Sequence, residues 1–189
     1  MSTAAMDRNR ASGMWDVTAR TIVYAAIGAA LYAVLAQFQV TLPGTANVAL
    51  RPGFAIVTFF GFAFGPIVGL FVGLVGNAIA DQISGWGLLT SWNWSLANGL
   101  AGLLAGVFGV TLAGTVRNRL ALAAVSAILA VAIGFLFVFS DLVLGTAETF
   151  EAALTANYLP VLIGNAIVAG ILTPILVAAW EPLRESMGR

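Results

Sequence analysis

The stretch from Trp86 to Asn98 carries Trp86, Trp92 and Trp94 together with Asn93 and Asn98. Aromatic faces stack on flat heterocycles, and carboxamides offer both donors and acceptors that fix an orientation, so this combination suits recognition of a planar ring. Trp94 and Asn98 lie four residues apart and share one face of any helix that carries them. An aromatic belt at a membrane surface would use the same tryptophans. Two more polar residues, Asn77 and Asp81, also stand four apart at the end of a glycine-rich apolar run. Polar groups inside a membrane are costly and usually face an interior or a cavity, which makes the pair a site candidate, although Asp81 could also be a solvated helix end. Asn157, Tyr158 and Asn165 add to the candidate set from the C-terminal third, where Asn165 suits either an interhelical hydrogen bond or a ligand contact. Asn47 and Arg51 join it from a loop.

The chemistry that is missing narrows the field. The 189 residues contain no histidine and no cysteine, which removes disulfides, thiol nucleophiles, imidazole bases and the commonest soft metal ligands. No catalytic group, metal site or cofactor is assigned. Eight acidic and eight basic residues cancel, all of the basic ones being arginine, so nothing calls for a nucleic-acid partner.

The elements that must position these residues are membrane helices. Hydrophobic residues make up 60% of the chain and charged residues 8%, against about 25% charged in soluble domains. Six apolar segments can be drawn: Thr18 to Phe38, Gly53 to Phe64, Pro66 to Ile83, Trp92 to Val116, Leu120 to Leu144 and Tyr158 to Trp180. The predicted fold is therefore an all-α membrane protein, a compact bundle of six transmembrane helices spanning 18–180, flanked by short segments at 1–17 and 181–189. A polar N-terminal stretch and a full-length first apolar run argue against a cleaved signal peptide. Gly65-Pro66 must turn the second segment tightly into the third. Ser91 is the expected N-cap of the fourth.

Arginine placement orients the bundle. In the six-span reading Arg8, Arg10, Arg20, Arg117, Arg119, Arg184 and Arg189 fall on one side and Arg51 alone on the other, which predicts cytoplasmic termini. The three longest connections, Gln39 to Pro52, Ser84 to Ser91 and Gly145 to Asn157, then gather on the outer side and suggest a covered, outward-facing cavity. Arg51 could pair with a carboxylate or phosphate there, or be an interfacial charge.

Small residues recur at four-residue spacing on two segments. The first holds Ala25, Ala29 and Ala33 with Ala26 and Ala30; the third holds Gly65, Gly69, Gly73 and then Gly76. Such stripes allow close helix approach, either within the bundle or to a partner protein. Gly76-Asn77-Ala78-Ile79 also recurs as Gly164-Asn165-Ala166-Ile167, a hint of internal repetition.

The region from Ala49 to Asp81, with Phe64-Gly65-Pro66 leading into Gly69-x-x-x-Gly73-x-x-Gly76-Asn77, resembles the signature of S components, the substrate-binding membrane subunits of energy-coupling-factor (ECF) transporters. Many relatives carry aspartate at the position of Asn77. The resemblance implies capture of a vitamin or related micronutrient at the outer face of a prokaryotic plasma membrane. It further implies association with a membrane coupling subunit and two ATPase subunits, the stripe of Ala25, Ala26, Ala29, Ala30 and Ala33 forming the docking surface. Together with the tryptophans it points to a planar heterocycle such as a pyrimidine, thiamine-like, flavin or pterin compound. A stand-alone secondary transporter or channel is the competing reading, though it would want a polar relay through the inner halves of the helices, which are almost wholly apolar. An intramembrane protease would want a serine–histidine pair or two aspartates within the membrane.

Overall fold

A computed structural model describes residues 13–45 and 48–186. The predicted Asn47 site therefore lies outside the described residues. The chain is helical apart from a two-residue-per-strand hairpin. Helix α1 spans Ala19–Leu35 and is followed by β1 (Val40–Thr41) and β2 (Ala49–Leu50). These pair antiparallel, with Val40 opposite Leu50 and Thr41 opposite Ala49. A 3-10 turn (Pro52–Phe54) leads into α2 (Ala55–Phe64), and then come α3 (Pro66–Ile83), α4 (Trp92–Thr111) and α5 (Arg119–Gly134). Helix α5 continues through a 3-10 segment (Phe135–Ser140) into the short α6 (Asp141–Leu144), and α7 (Phe150–Ala152) runs through a π-helical turn (Ala153–Tyr158) into α8 (Leu159–Ser186).

Four continuous helical stretches are long and apolar enough to cross a membrane: Pro66–Ile83, Trp92–Thr111, Arg119–Leu144 and Phe150–Ser186. Two shorter apolar ones, Ala19–Leu35 and Pro52–Phe64, complete the bundle. At 1.5 Å per residue the 17 residues of α1 reach about 26 Å, short of the roughly 30 Å of bilayer hydrocarbon. The chain is thus an all-α, multi-pass membrane protein.

Turns fall where the punctuation stands. Gly65 takes φ 108°, a backbone geometry that side-chain-bearing residues rarely adopt, and Pro66 opens α3 as its first residue, so α2 and α3 form the expected hairpin. Asn118 caps α5 by accepting from the backbone N–H groups of Leu120 and Ala121. Ser91 does stand at the N-cap of α4, but its side chain makes no capping bond.

The glycine stripes are spent inside the bundle. A Cβ on Gly69 or Gly61 would fall on the carbonyl of Gly102, and one on Gly73 would fall on the carbonyl of Asn98. Helices α2, α3 and α4 therefore pack backbone to backbone. Helix α1 joins through its own small residues: Ala25, Ala29 and Ala33 are buried, and a Cβ on Gly76 would meet Ala29 and the Tyr32 ring. Where α2 meets α8, Thr58 and Thr173 hydroxyls lie 2.6 Å apart, both fully buried. At the end of the bundle that carries Arg117 and Arg184, Glu181 pairs with Arg119 and Arg184, and Arg119 lies over the Phe62 ring.

Candidate functional site

The opposite end, beneath the hairpin, holds a cavity of about 230 Å³. Close packing of α3 on α4 brings Asn77 and Asn98 to its floor, Asn98 at the backbone contact with Gly73 and Asn77 one helical turn beyond it. The hydroxyl of Tyr32, 1% exposed on α1, stands 3.2 Å from Asn77 Oδ1 and 3.1 Å from Asn98 Oδ1. It has one proton to donate, so it holds the two oxygens together by sharing it. Asn77 Nδ2 donates to Asp81 Oδ2 at 3.0 Å and to Ser95 Oγ at 3.1 Å, while Asn98 Nδ2 donates to the Trp94 carbonyl at 2.9 Å.

Arg51 enters from the hairpin. Its Nε donates to Gln39 Oε1 at 2.6 Å, its Nη1 donates to Asn77 Oδ1 at 3.1 Å, and its Nη2 approaches Asp81 Oδ1 at 3.8 Å. Each guanidinium nitrogen thus faces a protein oxygen, and the charge is matched by Asp81, which is buried rather than a solvated helix end. One lining carboxamide is left over. Asn165 is 5% exposed and has no hydrogen-bond partner among the described residues. Its donor and its acceptor are both available to an occupant of the cavity. Apolar walls come from Phe54, Phe135 and Val161, and Trp94 and the half-exposed Trp86 supply aromatic faces.

A cavity of this kind, part polar and part apolar within a membrane bundle, has the lining of a small-molecule pocket. The family model described as "ECF-type riboflavin transporter, S component" matches residues 16–181. The chain belongs to that family. The S-component family is one of transporter substrate-binding subunits, not of enzymes. Among curated proteins, this S component is 37% identical over 95 residues to UPF0397 proteins of Aliivibrio fischeri and Aliivibrio salmonicida, covering 50% of this chain and 51% of theirs. A UPF0397 protein of Vibrio atlanticus is 37% identical over 105 residues, covering 56% of this chain and 54% of its own. The matched stretches thus span about half the length of these relatives. No solved structure matches the chain.

The sequence-predicted residues of this S component divide cleanly. Arg51, Asn77, Asp81, Trp86, Trp94, Asn98 and Asn165 line one cavity, and both asparagines of the repeated tetrapeptide are among them. Trp92, Asn157 and Tyr158 do not line it. Trp92 is two residues from Trp94, about 200° around the helix, and instead packs near Phe137 with 45% of its surface exposed. Tyr158 donates to the Ala132 carbonyl at 2.8 Å, and Asn157 donates to Asp141 Oδ2 at 2.8 Å. Tyr32, Phe54 and Phe135 are lining residues that sequence reasoning did not single out, and Ser91, expected only as an N-cap, lines the cavity too. For Tyr32 a signal existed: it follows Ala25 and Ala29 at seven and three residues, on the same small-residue face.

The predicted docking stripe also divides. Ala25, Ala29 and Ala33 face inward and pack in the bundle core, which removes them as a surface for any partner. Ala26 and Ala30 are exposed, beside the exposed Ile22, Val23, Ile27, Leu31 and Val34. Residues 25 and 26 are 100° apart on a helix, so the two rows cannot share one face.

Proposed function

We propose that this chain is the substrate-specific binding subunit of an ECF-type importer that captures a neutral planar heterocycle at the outer face of a prokaryotic plasma membrane. On this reading residues 18–180 cross the bilayer six times, both termini are cytoplasmic, and the hairpin end is the outer end. A membrane coupling subunit and two ATPase subunits take the loaded protein through its transport cycle, docking on the exposed Ala26 and Ala30 row of α1.

The observation that carries the reading is the unspent carboxamide of Asn165 in a cavity walled by Trp86 and Trp94. A heterocycle with a donor and an acceptor on one edge could satisfy Asn165 while an indole stacks on its face. Arg51 is already matched by Asp81, which favours an uncharged ligand over a phosphate or carboxylate. The family description names riboflavin. At about 230 Å³ the cavity is below the roughly 300 Å³ at which ligand pockets commonly begin, so it suits a ring system whose tail reaches out past the hairpin.

Titration of the detergent-purified protein with riboflavin, thiamine, a pterin and a pyrimidine, followed by tryptophan fluorescence, tests this. Saturable one-to-one binding of at least one compound is expected. Absence of binding by all four would remove the heterocycle reading.

A further inference from the structure

One buried side chain outside the cavity lining is as heavily hydrogen-bonded as Asn77 within it. Asp141, 3% exposed, accepts at Oδ1 from Asn93 Nδ2 (2.7 Å) and Thr146 Oγ1 (2.9 Å), and at Oδ2 from Trp94 Nε1 (3.1 Å) and Asn157 Nδ2 (2.8 Å). Its backbone carbonyl also accepts from the N–H groups of Thr146 and Ala147. No arginine forms an ion pair with it among the described residues. Four donors from three segments therefore converge on one carboxylate.

Local geometry explains how it gets there. From Phe135 to Ser140 the chain tightens to a 3-10 helix, in which residues three apart eclipse. Phe135, Val138 and Asp141 consequently fall in one inward-facing row, all 3% exposed or less. Phe135 lines the cavity and Asp141 sits two turns beyond it.

Two of the four donors lead to the cavity. Trp94 presents its ring to the cavity while its indole N–H is held by Asp141, and its carbonyl holds Asn98. Asn157 precedes Val161 and Asn165 at four-residue spacing on the last membrane helix, and both of those line the cavity. We infer that Asp141 is a positioning residue for ligand recognition, fixing the plane of the Trp94 indole. This rests on the binding reading above.

The test uses Asp141→Asn, which keeps the volume but replaces one oxygen by an NH2 group, facing either the Trp94 and Asn157 N–H groups or the Asn93 NH2 and the Thr146 hydroxyl, and leaves the indole at best a neutral acceptor in place of a carboxylate. Two readouts are combined. In the 15N spectrum of the five tryptophan indoles, the Trp94 resonance, assigned by its loss in Trp94→Phe, shifts and exchanges faster in Asp141→Asn while that of Trp86 stays in place. A riboflavin titration of the parent, Asp141→Asn, Trp94→Phe and the double variant then gives a cycle. Asp141→Asn should weaken riboflavin binding tenfold or more in the parent, but no more than about twofold in the Trp94→Phe background, because the group it positions has lost the bond already. Equal loss in both backgrounds, or an unchanged Trp94 resonance, would overturn the positioning role. If the parent binds no riboflavin, the titration is repeated with the thiamine, pterin and pyrimidine probes. Failure of all of them sinks the binding reading and the positioning role together, while the spectrum still reports whether Asp141 holds the indole.

Discussion

The Tyr32 hydroxyl lies 3.1 Å from Asn98 Oδ1, both groups buried, and so ties α1 to α4 across the floor of the cavity. The bond draws on one sequence feature from each helix. The Ala25–Ala29 face turns Tyr32 inward, and the α3–α4 glycine contact sets the depth of Asn98. Removal of the hydroxyl in Tyr32→Phe leaves the Asn98 oxygen without a donor. We expect a loss of about 1–3 kcal/mol in stability, read by thermal denaturation in detergent, together with weaker ligand binding. An unchanged melting temperature would mean that the carboxamide finds another partner.

Backbone contact between α3 and α4 predicts intolerance at Gly69. A single methyl there must displace the Gly102 carbonyl, which belongs to helix backbone and cannot rotate away. Gly69→Ala should destabilise the bundle by about 1–3 kcal/mol, the usual range for overpacking. Gly114→Ala, where a Cβ meets nothing within 4 Å, is the control and should be near neutral.

Much of this arrangement was legible in the residues. The six apolar segments agree with the helices to within a few residues at most ends, because Pro52, Gly65-Pro66, Ser91 and Asn118 punctuate them. What escaped was helical phase and local distortion. Trp92 and Trp94 read alike as tryptophans near one helix start, yet two residues of rotation send them to opposite sides. The inward turn of Asp141 could not be read, because nothing in its neighbours announces that α5 will tighten to a 3-10 helix. Alanines at 25 and 26 belong to two rows, and only tertiary packing decides which row is covered.

That division changes what a docking variant should do. Ala29→Trp, which on the sequence alone would block a partner and spare ligand binding, now places an indole against Gly76 and α3 and should prevent folding. Ala30→Trp projects from the exposed row. It should leave folding and ligand affinity intact while abolishing uptake in cells that hold the partner subunits. Normal uptake by a well-expressed Ala30→Trp variant would move the docking surface elsewhere.

Arg51 predicts a charge preference. Its Nε is on Gln39, its Nη1 on Asn77 and its Nη2 faces Asp81, so its charge is already matched, and Asp81 would repel a ligand anion. A phosphorylated form of the true ligand should bind at least about tenfold more weakly than the free form, a difference of about 1.4 kcal/mol. Competition titration with the two forms checks this, and equal affinity would mean that the hairpin releases Arg51 on binding.

The occupant of the cavity decides most directly whether this chain is a heterocycle-binding subunit. Protein purified in mild detergent from a producing host is denatured, and the small molecules released are identified by mass spectrometry, for the parent and for Trp94→Ala and Asn165→Ala. The parent should release one planar heterocycle in stoichiometric amount, and both folded variants should have lost it. A parent that releases none and binds none of the added heterocycles, or folded variants that retain the same compound undiminished, would contradict this reading.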